Sequence, residues 1–167
     1  MSTRRKALFG LGIGGSLLAG VRGVLGATAA APKATLVHEV VHTDAEWRKL
    51  LTSQQFNVLR QAGTERPYSS PLNKEHRAGV FSCAGCKLPV FSSKVKFESG
   101  TGWPSFWQPL PGAVDQDVDS SLGMERNEVL CHRCGGHLGH VFDDGPKPTG
   151  LRYCMNGVAL NFTPGPA

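Results

Sequence analysis

The chain has 167 residues, enough for one domain with its own hydrophobic core. Its formal charge is +5, but Arg4, Arg5, Lys6 and Arg22 all precede residue 30, where no acidic residue occurs. The remaining chain carries 14 basic against 13 acidic residues, which excludes the electrostatic footprint of a nucleic-acid binder.

Residues 1–31 read as an export signal. A charged start, Met1-Ser2-Thr3-Arg4-Arg5-Lys6, precedes a glycine-rich, weakly apolar run from Ala7 to Val21. The small residues Gly26-Ala27-Thr28-Ala29-Ala30-Ala31 close it, and the adjacent arginines fit the twin-arginine class. Cleavage fits after Ala29 or Ala31. The expectation is an exported, periplasmic protein with no stable membrane insertion after cleavage; the alternative is an uncleaved N-terminal membrane anchor. Residues 32–167 then form a single domain.

Two short helices follow. Thr43-Asp44-Ala45-Glu46 is a capping box, and Trp47, Leu50 and Leu51 give its helix an apolar face. Thr52-Ser53-Gln54-Gln55 is a second box, with Phe56 and Leu59 apolar and Gly63 as the predicted stop. Beyond Val80, short apolar runs alternate with turns, and 21 Gly and 11 Pro favour short strands. Predicted strands are Val80–Ser82, Pro89–Phe91, Val95–Phe97, Val129–Leu130, Leu138–Phe142, Leu151–Asn156 and Val158–Phe162. The predicted fold is mainly β, with antiparallel sheets packed or partly closed into a barrel.

Five cysteines carry the chemistry. Cys83/Cys86 and Cys131/Cys134 are two Cys-x-x-Cys pairs with the ligand spacing of a closed, structural four-cysteine zinc site. Two disulfides, or a redox-active pair, are the alternatives. Export after folding favours zinc, because metal can be loaded first. Cys154 has no partner. On a strand, Arg152, Cys154 and Asn156 share one face and Leu151, Tyr153 and Met155 the other. A cation beside a thiol favours thiolate, the nucleophilic form. His137 and His140 can move protons near neutral pH. Trp103, held between Gly102 and Pro104, is fixed at a loop edge.

The motifs together resemble the methionine-R-sulfoxide reductases of the B type. They are Gly-Thr-Glu-Arg-Pro (63–67), the two cysteine pairs, Ser-Gly-Thr-Gly-Trp-Pro-Ser-Phe (99–106), His-Leu-Gly-His (137–140), Asp-Gly-Pro (144–146) and Arg-Tyr-Cys-Met-Asn (152–156). The pattern covers roughly Thr43 to Phe162. The resemblance implies a structural Zn2+ and a peptide-methionine (R)-S-oxide reductase with Cys154 as nucleophile. It further implies that Arg152 favours the thiolate, that His137, His140 and Asn156 position oxygen and water, and that Trp103 and Phe106 bind substrate. Its partners would be oxidised proteins or peptides carrying methionine R-sulfoxide and a thioredoxin-like reductant. Many members carry a resolving cysteine where this chain has Thr101, so an external thiol is expected to regenerate Cys154.

Overall fold

A computed structural model describes residues 37–119 and 126–167. The predicted export signal lies outside the described residues. No helix among them is long and apolar enough to cross a membrane.

Both capping boxes form. Helix α1 (Asp44–Leu50) starts where the Glu46 amide donates to Thr43 Oγ1 at 3.3 Å and the Thr43 amide to Glu46 Oε2 at 2.8 Å. Helix α2 (Ser53–Gln61) repeats the device with Thr52 and Gln55. Trp47, Leu51, Phe56, Val58 and Leu59 are buried, but Leu50 is 60% exposed. A helix of seven residues buries only a narrow stripe, here Trp47 with Leu51 just beyond the helix end. The stop differs from expectation in one detail. Ala62, not Gly63, takes the left-handed backbone (φ 52°). Gly63 is needed for closeness instead: a β-carbon there would lie 2.0 Å from Asn57 Oδ1.

Among the described residues nine strands follow: β1 (Gly79–Cys83), β2 (Pro89–Ser92), β3 (Lys96–Phe97), β4 (Ser105–Phe106), β5 (Val114–Asp119), β6 (Arg126–Cys131), β7 (His137–Phe142), β8 (Arg152–Met155) and β9 (Leu160–Pro164). They form a three-stranded sheet, β2-β1-β9, and a six-stranded sheet, β3-β4-β8-β7-β6-β5. Every pairing is antiparallel. The larger sheet runs open from β3 to β5, so among the described residues the sheets are packed and no barrel closes. Aromatic rings from both sheets make the core: Phe91 and Phe106 stack at 4.3 Å, and Phe81 meets Phe106 edge-on at 4.9 Å.

Three strand assignments change. β5 reads Val-Asp-Gln-Asp-Val-Asp, an acidic edge strand with no apolar run to betray it. β4 is only two residues long. Val158 belongs to a 3-10 turn, Gly157–Ala159, and the last strand begins at Leu160. There Glu65 accepts hydrogen bonds from the Gly157 and Val158 amides at 2.7 and 2.9 Å, which holds the turn.

Candidate active site

The first cysteine pair ends β1 and turns toward β2; the second ends β6 and turns toward β7. The four sulfurs all lie within 4.8 Å of one another. The closest contacts cross between pairs, Cys86 to Cys131 at 3.4 Å and Cys83 to Cys134 at 3.8 Å. A tetrahedron with Zn–S bonds of about 2.3 Å has sulfur–sulfur edges of ~3.8 Å, so the arrangement is compatible with zinc. All four thiols are free. Their crowding pushes Cys83 and Cys131 up and Cys86 and Cys134 down. All four could ionise together at this spacing only around a cation. Because β1 and β6 belong to different sheets, an ion held by these four sulfurs would join the two.

Cys154 sits in β8, flanked by β7 and β4. Its register partners are His140 and Ser105. The approach of β7 is close: a β-carbon on Gly139 would lie 2.1 Å from the Cys154 carbonyl oxygen, so only glycine fits there. Cys154 opens into a cavity of about 120 Å³, also lined by Thr64, Trp103, His140, Phe142 and Asn156. Its lining thus combines aromatic rings with an imidazole and a carboxamide.

Each of those side chains is held from behind. The Trp103 indole N–H donates to the Glu65 carbonyl at 3.2 Å. Asn156 Oδ1 accepts from the Glu65 amide at 2.9 Å, and its Nδ2 donates to Leu138 O at 3.2 Å. Glu65 therefore ties Trp103 and Asn156 to the turn after β8. His140 Nε2 lies 2.9 Å from Asp119 Oδ2, and His137 Nδ1 lies 2.6 Å from Glu128 Oε1. The two imidazoles are 5.2 Å apart. Thr101 Oγ1 is 3.8 Å from Cys154 Sγ and belongs to a hydroxyl chain through Ser99 to Ser105.

Phe106 is a correction. It is fully buried, with its ring between Phe81 and Phe91. Strand alternation explains this: Ser105 pairs with Cys154, while Phe106 pairs with Tyr153 on the opposite face. Its ring packs the core and does not line the cavity.

The electrostatics also depart from expectation. Arg152 grips Asp144 with two bonds, 2.8 and 2.9 Å, and lies over the Phe142 ring at 4.4 Å. Asp144 raises the Arg152 guanidinium, and Arg152 holds the Asp144 carboxyl below its ordinary range. Burial pushes the Cys154 thiol up; the Thr101 hydroxyl and the Arg152 charge pull it back only part of the way. The balance favours the thiol over the thiolate at neutral pH. Burial likewise lowers His140, against the pull of Asp119, and so favours the neutral imidazole. Alkylation of Cys154 by iodoacetamide, mapped by mass, should be slow at pH 7 in the substrate-free protein. It should rise with pH through a midpoint above ~8.5, the ordinary thiol value. A midpoint below that value would contradict the balance of burial and charge described above.

Glu65, Asp119, Glu128 and Asp144 were not singled out by the sequence. Glu65 and Asp144 lie inside the motifs noted above and were within reach. Asp119 and Glu128 sit on β5 and β6, where nothing local marks them as partners of histidines far along the chain.

Comparison with known proteins agrees with this geometry. The SelR domain family matches residues 51–164. A "Peptide methionine sulfoxide reductase MsrB" of Leptospira interrogans is 55% identical over 126 residues, covering 75% of this chain and 96% of that protein. Proteins of the same name from Agrobacterium fabrum and Methanosarcina barkeri are 51% and 55% identical. Their matches cover 75% and 74% of this chain, and 94% and 87% of those proteins. With this match over most of its length, the chain belongs to the SelR domain family, that of the MsrB peptide methionine sulfoxide reductases.

Proposed function

We propose that the protein reduces methionine R-sulfoxide in proteins to methionine, with Cys154 as the nucleophile. The observation that carries this is a single half-buried thiol in a small cavity that is also lined by an indole, an imidazole and a carboxamide. The sulfoxide methyl lies against Trp103, and the oxygen faces His140 and Asn156. That division of apolar and polar groups selects one epimer.

The protonation states suggest how the proton travels. Cys154 starts as a thiol and His140 as a neutral base. Proton transfer between them makes the thiolate and an imidazolium together. The thiolate attacks the substrate sulfur and forms an S–S bond while the imidazolium proton goes to the sulfoxide oxygen; the S–O bond then breaks, and the hydroxyl passes to the Cys154 sulfur as the S–S bond breaks. The products are methionine and a sulfenic acid on Cys154, so sulfur of the substrate is reduced as the cysteine is oxidised. Asp119 orients His140; Glu128 does the same for His137, whose buried Nε2 has no hydrogen-bond partner among the described residues. Thr101 offers no thiol, so a thioredoxin-like donor forms a mixed disulfide with loss of water, and its second thiol releases Cys154. Cys83, Cys86, Cys131 and Cys134 hold a structural zinc that joins the sheets and takes no part in the reaction. Residues 1–31 direct export of the folded protein to the periplasm by the twin-arginine route and are then removed; retention as an N-terminal anchor is the alternative.

The test is a single turnover without reductant. Pre-reduced protein is mixed separately with peptides carrying the R or S epimer. One equivalent of methionine from the R epimer only, with sulfenic acid on Cys154, is expected. Product from neither epimer would remove the proposal.

A further inference from the structure

The Cys154 cavity does not stand alone. Arg126 and Phe142 line it and also line a neighbouring groove of about 440 Å³, against about 120 Å³ for the cavity itself. The cavity has room for one side chain. The groove has room for several more atoms groups of a longer ligand, and free methionine sulfoxide would leave it unfilled.

The groove wall is mixed in a specific way. Val141 and Leu151 give it apolar surface, Gln116 and Asn127 add carboxamides, and Asp143 adds a carboxylate. Asp143 and Asn127 are exposed, and no described residue hydrogen-bonds or ion-pairs with either side chain. Arg126, at the seam, is instead engaged by Asp119 at 2.7 Å. Carboxamides suit a peptide backbone, which offers a donor and an acceptor at each residue. An exposed carboxylate with no ion-pair partner among the described residues suits a basic side chain.

We infer that this groove binds the stretch of protein substrate next to the sulfoxide, in extended form, with a basic residue against Asp143. The inference rests on the reductase reading above and adds a sequence preference to it.

The test uses the mature protein with dithiothreitol as donor. The substrates are N-acetyl-methionine R-sulfoxide and peptides with a central methionine R-sulfoxide flanked on both sides by Lys, Ala or Glu. The expected order of kcat/KM is Lys, then Ala, then Glu, spanning about fivefold at low salt and less at high salt. Every peptide should exceed the acetylated amino acid. Asp143→Lys should invert the order of the peptides and leave the acetylated amino acid unchanged. An unchanged order in Asp143→Lys, or equal rates for all substrates, would overturn the groove while leaving the reductase reading intact. An effect of Asp143→Lys seen only with thioredoxin as donor would assign the groove to the reductant and equally overturn it. No turnover of any substrate, the acetylated amino acid included, would overturn both.

Discussion

Cys154→Ser should lower sulfoxide reduction by at least about 10⁴-fold, the scale on which a covalent nucleophile is missed. No other group can take its place. The Thr101 hydroxyl is 3.8 Å away, and its hydrogen-bond partner besides Cys154 is the Ser99 hydroxyl, which is no base. The other four thiols gather in one cluster between the sheets. The substitution exchanges one atom on a half-buried side chain, so the melting temperature should hold within about 3 °C. Turnover of the R-epimer peptide and calorimetry on the same sample check both halves. Activity above a hundredth of the parent's would mean that another residue attacks the sulfur.

Removing the metal should have the largest effect on stability. Cys131→Ser replaces a fully buried sulfur at the end of β6, and its loss opens a closed four-ligand set. Structural zinc contributes about 10–16 kcal/mol to the folding of small zinc peptides. Much of that is unavailable here, because the aromatic core between the sheets remains. A loss of about 5 kcal/mol is a reasonable share, and it corresponds to roughly 15–20 °C in melting temperature for a domain of this size. Calorimetry paired with metal analysis checks it: one zinc per parent chain, none in the variant, and the same fall when the parent is treated with a strong chelator. A metal-free parent that melts at the same temperature as the loaded one would refute the structural role.

The sequence makes some of this architecture plain and hides the rest for identifiable reasons. The capping boxes at Thr43 and Thr52 are local, and both helices begin where the side chains say they should. The spacing of the two Cys-x-x-Cys turns points to the sulfur cluster, but only the fold, which gathers four free thiols, separates it from a pair of disulfides. Strand β5 is not legible, since an edge strand with acidic residues at every second position lacks the apolar pattern of its neighbours. Phe106 shows a different limit. Its motif places it near the site, but which face a two-residue strand presents depends on pairing with β8. The state of Cys154 shows a third. Arg152 is two residues away and does lower the thiol, yet desolvation and the Arg152–Asp144 pair are products of the fold and outweigh it. The supporting carboxylates of His137 and His140 come from another hairpin, so no short window of sequence contains them.

The raised thiol at Cys154 bears on survival as well as on chemistry. The oxidants that make methionine sulfoxide include peroxides, and peroxides attack thiolates far faster than thiols. A nucleophile kept protonated until a sulfoxide arrives is a poor target for them in the meantime. Three of the other four sulfurs are buried, and only Cys86 shares the half-exposed status of Cys154. The fold therefore ranks its five sulfurs by vulnerability. Irreversible damage under mounting oxidant should begin at the rim of the metal cluster, at Cys86, while the idle catalytic sulfur is spared.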